Sequence, residues 1–175
     1  MTNKRITKEP QYNALFEAVE NDSPFELGLM ANHTWATDPK RNLFTLARYK
    51  FVSRMFEGYS SVLEVGCADA YGTRLVQQTV QNVTAVDFDP VFITDAGRRL
   101  DKRWPLNLKV HDILTDGPVE QGRFDGTYAL DVLEHIEEEF ENAFLKNMCN
   151  SLNDNGSAII GMPSLESQKY ASKQS

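Results

Sequence analysis

The stretch Ser61-Val-Leu-Glu-Val-Gly-Cys-Ala-Asp-Ala-Tyr-Gly-Thr73 decides how the rest of the chain is read. Val62, Leu63 and Val65 form a short apolar run of the kind carried by a strand buried on both faces. Glu64 interrupts it near its carboxyl end, and the small residues Gly66, Ala68, Ala70 and Gly72 follow at once. From Thr73 to Val80 the apolar spacing becomes helical. Strand, small-residue turn and helix make the opening half of a doubly wound α/β unit, whose turn borders a ligand crevice. Gly66 can adopt positive φ, and side chains this small let a ligand lie against backbone.

Downstream, the pattern repeats. Asn82-Val-Thr-Ala-Val-Asp-Phe-Asp-Pro90 reads as a second strand ending in acids, with Asp89 and Pro90 starting a helix that runs to about Arg103. Asp87 stands where such sheets place an acid for ribose hydroxyls, because hydroxyl donors prefer an ionised, acceptor-only carboxylate. Leu108–Ile113 is a third strand, again with an acid, Asp112, at its end; Thr115–Arg123 is loop. Phe124–Leu130 is the fourth strand, followed by Asp131-Val-Leu-Glu-His-Ile136 at the carboxyl end, where open sheets carry their sites. Glu137–Leu152 is helical by the four-residue spacing of Phe140, Phe144, Met148 and Leu152, and Asn153-Asp-Asn-Gly156 ends it. Ser157–Met162 is a fifth strand closed by Pro163.

Upstream, Gln11–Val19 has the spacing of a short helix, and Asn21–Asp38 reads as an unusually apolar loop. Asp38-Pro39 starts a helix expected over 39–57 and stopped by Gly58. Leu43, Phe44, Leu46, Ala47, Phe51, Val52, Met55 and Phe56 give it a broad apolar face suited to packing on a sheet; Arg48 and Tyr49 sit mid-helix and could reach a ligand carboxylate, but a solvated or snorkelling arginine is the expected reading. The predicted organisation is a helical extension or lid over 1–58, a cofactor-binding domain over 59–163 and a polar tail over 164–175.

At 175 residues and 41% hydrophobic, the chain has enough apolar side chains for one domain with a core. Its net charge of −7, with no Lys/Arg block longer than two residues, argues against nucleic acid as the main partner. No apolar run approaches a membrane span. Cys67 and Cys149 fall in separate elements and read as free thiols of a reducing, cytoplasmic compartment.

Five blocks in order resemble the class I S-adenosylmethionine-dependent methyltransferases, in their small-molecule branch. Val62–Gly72 resembles the first motif, Val86–Pro90 the ribose-binding strand and Val110–Ile113 the adenine-binding strand. Phe124–Ile136 resembles the fourth motif, and Leu152–Pro163 the fifth-strand region. The resemblance implies a Rossmann-like sheet of five mainly parallel strands with an N-terminal helical extension, S-adenosylmethionine as cofactor and a small-molecule acceptor. Glu64 fits a ligand carrying an ammonium group and a sulfonium, and would repel the pyrophosphate of a nicotinamide dinucleotide. On this reading Gly66, Cys67, Ala68, Gly72 and Leu130 surround the cofactor, Asp87 takes its ribose, and Asp112, Ile113 and Phe88 flank its adenine. Asp131 and His135 are the catalytic candidates. Asp131, Glu134 and His135 also resemble a metal-binding set of some quinone O-methyltransferases, but no metal is expected here.

Two departures from the family pattern carry consequences. Ala68 and Ala70 replace glycines, a costly exchange wherever φ is positive. Family members also continue into a last antiparallel strand pair, whereas only a polar tail follows Pro163; the chain reads as part of a longer protein or as a minimal form. An uncovered fifth strand invites pairing, so a homodimer through that edge, or a tail folded over it, is expected. A cofactor-binding module without catalysis is the alternative reading.

Overall fold

The computed structural model describes residues 7–21, 25–164 and 166. The sheet has five strands: β1 (Ser61–Val65), β2 (Asn82–Asp87), β3 (Asn107–Val110), β4 (Phe124–Leu130) and β5 (Leu152–Gly161). Their spatial order is β3-β2-β1-β4-β5, and every neighbouring pair is parallel. The chain therefore moves outward from β1 through β2 to β3, then returns to place β4 on the other side of β1. That reversal opens a crevice beyond the carboxyl ends of β1 and β4.

Strand alternation divides the core into two layers. Val62 and Tyr128 face a cluster with Tyr49, Val52, Phe56, Val76 and Val83, under α3 (Pro39–Met55) and α4 (Thr73–Val76). Leu63, Val65 and Ala129 face the opposite cluster with Phe124, Phe144 and Met148, under α6 (Glu138–Ser151). The α5 helix (Pro90–Arg98) packs on β2 and β3, with the Asp89 carboxylate capping its start by accepting from Val91 N–H at 2.8 Å. Ahead of these lie α1 (Asn13–Asn21) and α2 (Leu29–Thr37).

The Rossmann-like fold expected from the sequence is present, with local corrections. Residues 29–37 are helix, not loop. Their N–H groups find a cap outside their own segment: the Asp69 carboxylate accepts from Ala31 N–H at 2.8 Å. The helices after β1 and β2 stop early, at Val76 and Arg98, the first in turns whose N–H groups bond back to Thr73, Leu75 and Val76. β3 ends at Val110, before His111 and Asp112. Asn153–Gly156 does not close a helix; β5 begins directly after α6 and bulges opposite Phe124–Gly126, where Asn153 donates to Asp125 at 2.7 Å.

The apolar face assigned to α3 is also redistributed. Asn42, Tyr49, Val52, Ser53 and Phe56 turn inward, while Leu43, Phe44, Phe51 and Met55 stay more than half exposed. Its polar members each meet a partner: Tyr49 donates to the Glu64 carboxylate, Asn42 donates to the Ala31 carbonyl, and Ser53 bonds with the Thr79 hydroxyl. Apart from Ser164 and Glu166, the polar tail predicted from Ser164 onward falls outside the described residues.

Candidate functional site

Glu64 points from β1 into the layer beneath α3 and α4, and its carboxylate is sealed there at 1% exposure. Tyr49 donates to Oε1 at 2.7 Å; Thr73 and Tyr128 donate to Oε2 at 2.6 and 2.8 Å. These three hydroxyls come from α3, the start of α4 and β4, so one side chain ties three elements to β1. Gly72 makes the approach possible, since a Cβ there would lie 2.3 Å from the Tyr49 ring. Burial raises the Glu64 carboxyl above its ordinary value of 4.5, against the three hydroxyls that lower it. A raised carboxyl binds its proton more tightly folded than unfolded. Its contribution to stability is therefore full below pH 4.5 and is lost as pH rises through the folded value. Burial, with the Glu64 charge beside them, also pushes the Tyr49 and Tyr128 hydroxyls well up, so they remain donors.

This placement corrects the expectation that Glu64 stands at the mouth of the crevice to grip an ammonium group directly. Both of its oxygens are engaged, and at 1% exposure the side chain does not open onto the crevice.

The turn after β1 is shut against β2. Val86 C=O accepts from Gly66 N–H at 2.8 Å and from Cys67 N–H at 3.0 Å. Asp87, 6% exposed, accepts from Ala68 N–H at 2.8 Å on one oxygen and from Asp89 N–H at 2.9 Å on the other. A carboxylate offers about four acceptor positions, so two remain for further donors. Gly66 has φ +76°, and a Cβ there would lie 2.5 Å from Val132. Ala68 and Ala70 are also left-handed, at φ +45° and +54°. Cys67 is 2% exposed; burial pushes its thiol well up, with Glu64 and Asp87 adding, which removes it as a nucleophile.

At the end of β4, Asp131 sits at φ +56° and forms an ion pair with Arg48 of α3. Arg48 Nε and Asp131 Oδ1 are both buried with no hydrogen-bond partner. They are two of only four such side-chain atoms among the described residues. Leu130 is 9% exposed and turned into the core, so only its backbone borders the crevice. His135 lies exposed on the 3₁₀ turn Leu133–His135. Among the described residues, no cluster of three or more His, Cys, Asp or Glu side chains could hold a metal.

Near β3, Asp112 Oδ1 accepts from Leu114 N–H at 2.9 Å, a turn-forming role that leaves Oδ2 without a partner among the described residues. Phe88, the residue after β2, is 72% exposed. Ile113 is a correction: at 5% exposure its side chain packs with Leu63 and Phe144 beneath α6, not against a ligand ring. Sequence reasoning missed Asp69, which is 5% exposed and joins the first turn to α2. Its partner is 38 residues away and gave no local signal.

A family model described as "Methyltransferase domain" matches residues 62–156. Solved structures of similar fold include the N-methyltransferase NodS from Bradyrhizobium japonicum WM9, in complex with S-adenosyl-L-homocysteine. It is 24% identical with a TM-score of 0.57, over 87% of this chain and 72% of that one. A TehB-like SAM-dependent methyltransferase from Corynebacterium glutamicum is 20% identical with a TM-score of 0.56, over 77% of each chain. The sugar N-methyltransferase KedS8 from Streptoalloteichus sp ATCC 53650 is 17% identical with a TM-score of 0.61, over 81% of this chain and 57% of that one. A comparison with curated proteins gives no match.

The two left-handed alanines carry a strain that glycine lacks. Ala68→Gly and Ala70→Gly are each expected to raise unfolding stability by about 0.5–1 kcal/mol, after allowing for the extra backbone freedom of glycine in the unfolded chain. Urea denaturation measures this. Unchanged or lower stability in both would contradict the strain.

Proposed function

Because the chain belongs to the methyltransferase domain family, we propose that it transfers a methyl group from S-adenosylmethionine to a small-molecule acceptor in the crevice beyond β1 and β4. The observation that carries this reading is Asp87, a buried acid fixed by two backbone N–H groups at the end of β2 with acceptor capacity to spare. That is the arrangement a pair of ribose hydroxyls requires. The unpartnered atoms of the Arg48–Asp131 pair fit the other end of the cofactor: Nε is a donor for an α-carboxylate, Oδ1 an acceptor for an ammonium. Asp112 Oδ2 suits the adenine amine, and the exposed Phe88 ring suits its face.

S-adenosylmethionine, when bound, supplies a methyl group already activated on a sulfonium. The chain's own task is to hold an acceptor in line and exclude water. Where the acceptor must lose a proton, His135 is the group on the post-β4 turn free to take it, while Asp131 holds Arg48. In this reading residues 1–58 act as a helical extension and lid, 59–163 hold the cofactor, and 164–175 are a polar tail. The net charge of −7 supports a small acceptor over nucleic acid, and the two free thiols are consistent with a cytoplasmic site of action. KedS8, described as a sugar N-methyltransferase, supports the same acceptor class.

We also propose that a second copy pairs along β5. Among the described residues this strand is the last in the sheet, and an identical edge from a partner would satisfy two rows of backbone groups in one contact. Light scattering is expected to give the mass of a dimer; a monomer at high protein concentration would contradict the pairing.

For the cofactor, Asp87→Asn is expected to weaken S-adenosylhomocysteine binding at least tenfold by calorimetry, about what losing a hydrogen bond to a charged group implies. Unaltered affinity would overturn the assignment of the ribose site. Turnover of labelled S-adenosylmethionine with a panel of small amines and hydroxyl compounds tests the reaction itself. Tight S-adenosylhomocysteine binding with no methyl transfer across the panel would favour a binding module instead.

A further inference from the structure

Away from the crevice, a cavity of about 300 Å³ opens between α4, α5 and the segment preceding α2. It shares no lining residue with Gly66, Cys67, Ala68, Asp87, Asp112 or Asp131. Phe25, Leu75, Leu100, Trp104 and Leu106 supply apolar walls; Phe25 and Leu100 are exposed, and Leu75 and Leu106 are half-buried. Arg74 lies flat over Trp104, its guanidinium carbon 3.4 Å from the ring centroid. Its Nη1 is buried and has no acceptor.

The neighbouring charges are matched apart from Asp69, whose carboxylate lines the cavity and accepts from Ala31 and Tyr71 N–H. Arg98 pairs with Glu26 and Asp95; Arg99 pairs with Asp95 and donates to the Asp69 carbonyl at 2.7 Å. Asp101, whose charge acts on Arg74, is held by the Arg103 guanidinium at 2.6 Å. Arg74 is left as the cation lining this cavity without a carboxylate partner among the described residues. A guanidinium backed by an indole and flanked by apolar walls selects an anion with an apolar body. Its planar fork can engage both carboxylate oxygens, and the stacking limits the entropy lost in doing so. The unmet Nη1 donor adds to the gain, since a small slide of the guanidinium over the indole brings it to an incoming acceptor.

We propose that this cavity binds an apolar monocarboxylate, of the size of a medium-chain fatty acid, with the carboxylate on Arg74 and the chain along Phe25, Leu100 and Trp104. The site is independent of methyl transfer. Its occupant would nonetheless touch Ala70 and Tyr71, the outer side of the turn whose inner side is bonded to Asp87.

The chain has two tryptophans, and Trp35→Phe leaves Trp104 as the sole tryptophan, excited selectively over the tyrosines. Titration with octanoate is expected to change its emission saturably, with octan-1-ol and acetate each at least tenfold weaker. Arg74→Gln, checked by circular dichroism, is expected to lose at least tenfold in octanoate affinity. In the unaltered protein, octanoate should shift the Trp104 indole N–H resonance, a readout that no variant's folding can affect. Saturating S-adenosylhomocysteine should leave octanoate affinity within twofold. The proposal is overturned by equal binding of octan-1-ol, by an unaffected Arg74→Gln variant, by the absence of saturable binding, or by competition with S-adenosylhomocysteine.

Discussion

Glu64 brings a carboxylate into the layer between sheet and helices, and Tyr49, Thr73 and Tyr128 close over it with hydroxyl groups at 2.6–2.8 Å. Withdrawing that charge from water costs several kcal/mol, which only short, charge-assisted hydrogen bonds can offset. The arrangement is demanding in geometry. It requires α3 to pass over β1 at Tyr49, α4 to begin at Thr73, and Gly72 to leave room for the tyrosine ring. Once these conditions hold, the turn between β1 and α4 has both of its ends fixed. The crevice floor is then set before any ligand arrives, which is what binding without large reorganisation requires.

The same network turns Glu64 away from the crevice, so in the function proposed above recognition falls to acids on other strand ends. Asp87 is fixed by the turn it braces, and Asp131 by Arg48. Backbone strain gathers in the same place: Ala68, Ala70 and Asp131 all occupy left-handed conformations around the crevice. Such conformations persist only where surrounding contacts over-determine them, and here the Val86 carbonyl, the Asp87 carboxylate and the β4–β5 pairing do so.

Much of this was legible in the sequence, for identifiable reasons. Strands buried on both faces must be apolar, so Val62–Val65, Val83–Val86 and Tyr128–Leu130 stood out, and their carboxyl ends were marked by acids. The α2 helix was not legible: its apolar residues Leu29, Met30 and Trp35 share no buried face, and its start is capped by Asp69 from another segment. The inward face of α3 was misread because its polar partners lie far along the chain: Tyr49 turns in to Glu64 and Ser53 to Thr79, while Phe44, Phe51 and Met55 turn out. Asn153–Gly156 has the composition of a turn, yet Asp125 holds Asn153 and the segment extends as a bulged strand. The role of Glu64 itself was hidden because two of its partners lie 15 and 64 residues away.

Everything above depends on the carboxyl of Glu64 being sealed under hydroxyl groups rather than open to the crevice. Selective ¹³C labelling of glutamate carboxyls, with Glu64→Gln to assign the resonance, allows its titration to be followed directly by NMR. The account predicts a midpoint displaced above the ordinary value of 4.5. A Glu64 carboxyl that titrates at or below 4.5, as a solvent-exposed or cation-paired acid does, would contradict it.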